Sequence, residues 1–97
     1  MGAGVFVDAR QSRRILVRLP VSLIVDTTSG WESHPGSALD LSDRGLRVST
    51  AAALASEQIV GVILNKTPER CRVAWTGLPG TPKSGQAGLQ FLNPLPD

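Results

Sequence analysis

The sequence has few of the residues that small proteins often use for cross-linking or catalysis. It contains one cysteine, Cys71, one histidine, His34, and no tyrosine. A lone cysteine excludes an intrachain disulfide framework, and a single cysteine with a single histidine argues against a zinc site. No apolar run approaches the roughly 18 residues of a membrane-spanning helix, and the N-terminal segment lacks the apolar core of a secretory signal. We therefore expect a cytoplasmic protein with no metal and no membrane association.

The overall composition is that of one small globular domain. The chain has 97 residues, of which 41% are hydrophobic and 19% charged, a balance that is not typical of disordered chains. A chain of this length buries one modest core, which excludes a large multidomain enzyme. We predict a single domain over residues 1–97, with a flexible basic lead-in over 1–14 and a folded body over 15–93.

Positive charge is concentrated near the N-terminus. Residues 1–18 contain four arginines against one acid, a net charge of +3, whereas residues 19–97 carry a net charge of −1. All four of these bases are arginine, whose planar fork binds phosphate and the guanine edge through paired hydrogen bonds. A solvated basic terminus would have the same composition, so the clustering alone does not decide between the two interpretations.

Periodicity and turn residues predict about six strands and at most one short helix. Apolar residues alternate from Ile15 to Val25, which is the pattern of a half-buried strand; Pro20 within it favours an edge or a bulge. Residues 26–36 are rich in turn formers and are predicted as a long loop. The Ala-rich segment 50–58 is the candidate short helix. The other predicted strands lie at 37–42, 45–50, 59–64, 71–75 and 88–92, with turns at 42–45 and 65–69 and a wide loop at 77–85.

Many short strands separated by Gly/Pro turns indicate an all-β sandwich or barrel. We favour a small antiparallel β-barrel of six strands, because closure removes exposed strand edges.

Catalytic chemistry has little support in the sequence. His34 lies in a Gly/Pro-rich segment where nothing supports a Ser-His-Asp arrangement, and Cys71 fits a buried strand position. Neither a Walker-type loop nor a Gly-x-Gly-x-x-Gly fingerprint is present. Trp75 is predicted to lie in the core, and Trp31 in the loop. We expect a protein that is not an enzyme.

Two short motifs stand in a fixed order. Arg10 and Arg14 form R-x-x-x-R just before the first strand, and Asp40, Ser42 and Gly45 form D-x-S-x-x-G at the predicted hairpin. Each motif alone occurs often by chance. In this order and at this separation the pair resembles the PilZ domain, the bacterial receptor for cyclic di-GMP.

The surrounding sequence is also similar to that family. The residues after Arg14, those around the hairpin, and the segments Cys71–Trp75 and Gly88–Phe91 all fit its pattern, so the resemblance covers roughly residues 10–93. It implies a six-stranded barrel in the bacterial cytoplasm that binds cyclic di-GMP through the motif residues. Arg13 and Arg47 are further candidates for the site. The chain stops at Asp97 with no attached output domain, so we expect a stand-alone receptor or an excised module, which signals through an unidentified partner protein.

The ligand fits the chemistry of these residues. Cyclic di-GMP presents two phosphates and two guanines, and an arginine fork matches both a phosphate and the guanine O6/N7 edge. Asp40 can accept hydrogen bonds from guanine N1–H and N2–H₂. Ser42 adds a hydroxyl on the same side, because residues two apart on a strand face the same way. Gly45 is expected to supply positive φ at the turn and to leave room for the ligand.

Two other functions stay open. The chain could be a PilZ-like adaptor that binds only protein, although such adaptors usually lack the arginines. It could also be a small nucleic-acid-binding barrel with a basic arm. The near-neutral body and the four aromatic residues argue against nucleic acid.

Overall fold

The computed structural model describes residues 14–92, which form six strands and, within that range, no helix. The strands are β1 (Ile15–Thr27), β2 (Gly30–Leu41), β3 (Gly45–Thr50), β4 (Ile59–Leu64), β5 (Thr67–Thr76) and β6 (Gln86–Phe91). No helix in the described range is long and apolar enough to cross a membrane.

All six strands pair antiparallel in one closed barrel. The order around the barrel is β1-β2-β3-β6-β5-β4, and β4 pairs back onto β1. The predicted all-β, six-stranded antiparallel barrel is therefore confirmed.

Small and branched aliphatic side chains fill the barrel. The narrow interior of a small barrel suits such residues, and no aromatic side chain is among its fully buried core. The core consists of Val21, Leu23, Val25, Ala38, Leu46, Val48, Val60, Val62, Cys71, Val73, Ala87 and Leu89.

The alternating apolar residues of β1 face the barrel interior only in the second half of the strand. An extra residue interrupts pairing with β2 between Leu16 and Leu19, so the strand shifts its face there. Ile15 stays 57% exposed, whereas Leu23 is completely buried. Pro20 lies just beyond this irregularity and before the ladder with β4 begins at Val21, where its missing N–H costs no hydrogen bond to β4.

The predicted loop at 26–36 is wrong. Most of this segment belongs to β2, and only residues 28 and 29 separate β1 from β2. β4 pairs with β1 only as far as Ile24, and β3 pairs with β2 only from Gly36. Val25 is still buried in the core, so residues 26–35 project from the barrel as a two-stranded ribbon. Both faces of such a ribbon meet water, which explains why its polar sequence lacks the alternation of a half-buried strand.

Two other connections differ from expectation. Asn65 and Lys66 alone connect β4 to β5, with φ of 52° and 70°; a two-residue hairpin turn of this type needs positive φ at both positions. The predicted turn at 65–69 was therefore too long. The Ala-rich segment forms no helix; instead, backbone hydrogen bonds tie Glu57 and Gln58 to Val73 in β5.

Cys71 packs inside the barrel as a small apolar residue. Burial, with a smaller effect of the nearby negative charge of Glu69, raises the pKa of its thiol to about 12. The thiol therefore stays protonated near neutral pH and is a poor nucleophile.

Candidate functional site

A bulge in β2 brings Asp40 to the outer surface of the barrel. Ala38 pairs with Val48 and lies in the core, but Asp40 pairs with Arg47, the next residue back along β3, so Leu39 is an extra residue. In a regular strand, residues 38 and 40 would face the same way. The extra residue turns Asp40 outward, to the side on which Arg47 lies.

Asp40 forms ion pairs with two arginines. Arg14 Nη1 donates to Asp40 Oδ1 at 2.6 Å, and Arg47 Nε donates to Oδ2 at 2.9 Å. The Asp40 side chain is only 7% exposed beneath them, whereas that of Arg14 is 62% exposed. Arg47 also donates to Gln86 Oε1 at 3.3 Å. Since a buried carboxylate needs such partners, Asp40 fixes the arginine that precedes β1 against the middle of the barrel wall.

Ser42 stabilises the β2–β3 turn. It lies just past the end of β2, where its hydroxyl accepts from Arg44 N at 3.1 Å and its own N–H donates to Gly45 O at 2.9 Å. It was expected on the strand beside Asp40, and that placement is wrong. Ser42 nevertheless borders the same cavity as Asp40.

Gly45 is required by close backbone packing. The glycines with positive φ in the described range are Gly30, Gly80 and Gly85, so the expected positive φ at Gly45 is wrong. A Cβ built on Gly45 would lie 2.0 Å from the carbonyl oxygen of Leu89. Its lack of a side chain therefore lets β3 approach β6.

A second bulge brings Trp75 to the same outer surface. Val73 pairs with Leu89 and is fully buried, whereas Trp75 pairs with Gly88, so Ala74 is the extra residue. A Cβ on Gly88 would lie 2.1 Å from Trp75 Nε1, which shows that the indole rests against that glycine. Trp75 is therefore a half-buried wall of the site, and its predicted place in the core is wrong.

These residues line an open cavity of about 690 Å³. Its described charged residues are Arg14, Arg44, Arg47 and Lys83 against Asp40, a net charge of +3. The remaining lining residues include Ser42, Trp75 and Gln90. A concave site of this size suits a small ligand, and its charge suits an anion.

A comparison with protein families shows which family the chain belongs to. The family model of the PilZ domain matches residues 8–97, nearly the whole chain. The chain belongs to the PilZ domain family. This family binds cyclic di-GMP and acts through effector proteins; it is a receptor family rather than a catalytic one. No match was found among curated proteins.

In this PilZ domain, the cavity brings together five of the seven predicted site residues. These are Arg14, Asp40, Ser42, Gly45 and Arg47. Arg10 and Arg13 lie outside the residues that the structure describes. The register of β3, which sequence could not give, places Arg47 opposite Asp40.

Sequence reasoning missed four polar or aromatic residues of the cavity wall. Arg44 lies in the hairpin turn, Trp75 on β5, Lys83 in the β5–β6 loop and Gln90 on β6. Arg72 reaches Gln90 from β5 and also pairs with Glu57 at 2.8 Å. The sequence gives one sign of this wall, which is Trp75 and Gly88 on two predicted strands. This sign is informative only once the two residues are known to be paired.

The two residues with the most versatile side-chain chemistry lie elsewhere. His34 pairs with Glu32 at 3.1 Å on the ribbon, and Cys71 faces the interior. Within residues 14–92, no group of three or more His, Cys, Asp or Glu side chains could hold a metal ion.

Replacing Gly88 with alanine should displace the Trp75 indole, because the new methyl group would overlap it. In a Trp31→Phe background, where Trp75 is the remaining tryptophan, we expect a shift of the emission maximum to longer wavelength and stronger quenching by acrylamide. Overpacking of this kind typically costs about 1–3 kcal/mol of folding free energy. An unchanged spectrum and quenching constant would contradict the contact between Trp75 and Gly88.

Proposed function

We propose that this PilZ domain binds cyclic di-GMP in the cavity formed by Arg14, Asp40, Arg47 and Trp75. The main support is the pair of contacts that holds Arg14 and Arg47 on the two oxygens of one buried carboxylate. This arrangement puts phosphate-binding forks beside an acceptor that can recognise guanine.

The charge of the cavity fits the ligand. Cyclic di-GMP carries two phosphate charges, and the described residues of the cavity carry a net charge of +3. Arg14 is the most exposed of the groups around Asp40, so its fork is free to contact a phosphate or the guanine O6/N7 edge. Arg10 and Arg13, four residues and one residue before Arg14, are proposed as further arginine contacts.

Asp40 and Trp75 would recognise the guanine base. Each carboxylate oxygen has a second lone pair, so Asp40 can accept from guanine N1–H and N2–H₂ while it keeps its arginines. An indole offers a flat surface on which a base stacks. Ser42 and Gly45 shape the turn that brings the hairpin to the edge of the cavity.

Signalling would follow from the position of Arg14. The residue lies immediately before β1, so a ligand held by Arg14 draws the preceding segment onto the barrel wall. We propose that the resulting surface is what a partner protein recognises in the bacterial cytoplasm, as a shift in the population of conformations.

A calorimetric titration tests the proposal. We expect micromolar or tighter binding of cyclic di-GMP, weak binding of GTP, and weaker binding of cyclic di-AMP, which has the same phosphates but no guanine. Equal affinity for both cyclic dinucleotides would contradict base recognition by Asp40. Absence of heat and of any shift in melting temperature would favour the protein-binding adaptor, whereas salt-sensitive binding of oligonucleotides would favour a nucleic-acid-binding barrel.

A further inference from the structure

The Lys83 side chain lies over the indole of Trp75. Its Nζ is 5.2 Å from the centroid of the ring, within the range of a cation–π contact. Both residues border the cavity around Asp40. The ammonium group therefore occupies a position over the ring that a stacked base would need.

The β5–β6 loop, residues 77–85, holds the backbone of Lys83 in place. Gln86 N donates to Lys83 O at 3.0 Å, and Gly77 N donates to Gln86 O at 2.9 Å. A Cβ on Gly77 would lie 1.7 Å from Lys83 O, so the backbone at Lys83 packs directly against Gly77, where the loop begins. The backbone is held in this way while the side chain is exposed, so the side chain can move without the backbone.

We propose that Lys83 is a ligand-binding residue that exchanges one contact for another. Without ligand it covers Trp75; when a guanine stacks on the indole, the ammonium moves aside and contacts a phosphate of the same ligand. This inference rests on the proposed binding of cyclic di-GMP. It adds a cationic group from the β5–β6 loop to Arg14 and Arg47, the two arginines paired with Asp40.

The exchange is favourable on chemical grounds. A cation–π contact at an exposed site is weak, whereas an ammonium group bound to a phosphate oxygen makes a charge-assisted hydrogen bond. The lysine stem is long and flexible, so the head group can reach a new partner while the loop stays fixed.

The test compares two lysines in calorimetric titrations with cyclic di-GMP. Lys83→Met keeps an unbranched stem and removes the charge, and we expect it to weaken binding about tenfold, the effect of one charged contact. Lys66→Met removes the same charge from the β4–β5 turn, away from the lining of the cavity, and should stay within about twofold of the parent chain. Lys83→Arg should restore most of the affinity.

Fluorescence gives a second readout. With Trp31→Phe as background, cyclic di-GMP should change the emission of Trp75, and Lys83→Met should change that emission before any ligand is added. If the parent chain binds but both methionine variants match it, the role of Lys83 is wrong while the proposed function stands. If the parent chain itself shows no binding, the proposed function fails and the role of Lys83 with it.

Discussion

Replacing Arg14 with alanine is expected to weaken cyclic di-GMP binding by about 100-fold, because two charge-assisted hydrogen bonds of an arginine fork are lost together. The barrel should keep its stability. The Arg14 side chain is 62% exposed, and Arg47 still pairs with Asp40 when Arg14 is removed, so the buried carboxylate keeps a partner and the fold loses little. Isothermal titration calorimetry and thermal unfolding of the same sample would separate the two effects.

Arg70→Ala is the matched control for this experiment. Arg70 is an exposed arginine on β5 that does not border the cavity, so its loss should leave affinity within about twofold. Arg14→Lys should fall between, because lysine keeps the charge but not the fork. An Arg14→Ala variant that binds like the Arg70→Ala variant would remove Arg14 from the site.

The largest loss of stability is expected from Gly45→Ala. The added Cβ would lie 2.0 Å from Leu89 O, an oxygen of the β6 backbone that cannot yield unless the two strands separate. We expect the free energy of unfolding to fall by about 3 kcal/mol or more, at the upper end of overpacking costs. For a domain of this size that lowers Tm by more than about 10 °C, which urea titration and calorimetry would measure.

Gly61→Ala provides the comparison, because it also adds a methyl group to a barrel strand. Its Cβ would lie 3.3 Å from the Ile24 side chain rather than on a backbone oxygen, so a small shift can accommodate it and the cost should be clearly lower. A Gly45→Asn variant separates two explanations for this glycine. Asparagine tolerates positive φ, but we expect Gly45→Asn to be less stable than Gly45→Ala, because the larger side chain has no space beside Leu89 O. Equal stability of the alanine variants would refute the close approach.

The parts of the fold that obey simple alternation could be predicted from the sequence. The second half of β1 alternates in burial as expected, β4 has the bounds predicted from its apolar, β-branched sequence, and the hairpin before Gly45 was placed correctly. The ribbon at residues 26–35 could not be predicted in this way. Its turn-forming residues suggested a loop, because a strand with two wet faces carries no hydrophobic period.

The site could be predicted only as a list of motif residues. Asp40, Ser42 and Gly45 came from their spacing, but the contact between Asp40 and Arg47 depends on the extra residue at Leu39. A bulge is a property of how two strands pair, and a single strand sequence gives little sign of it. Trp75 was assigned to the core for the same reason, since Val73 two residues earlier is indeed buried.

The two bulges have an evolutionary consequence. Because Leu39 and Ala74 are the extra residues at these bulges, the loss of one codon at either place would return the strand to regular alternation. Neighbouring residues of a regular strand face opposite sides, so Ala38 would stay inside and Asp40 outside, and the same holds for Val73 and Trp75. A lineage could thus lose either codon and keep the side chains of the site on the outer surface. The number of residues between Arg14 and Asp40 would then vary by one among related sequences, and a motif search with one fixed spacing would miss receptors.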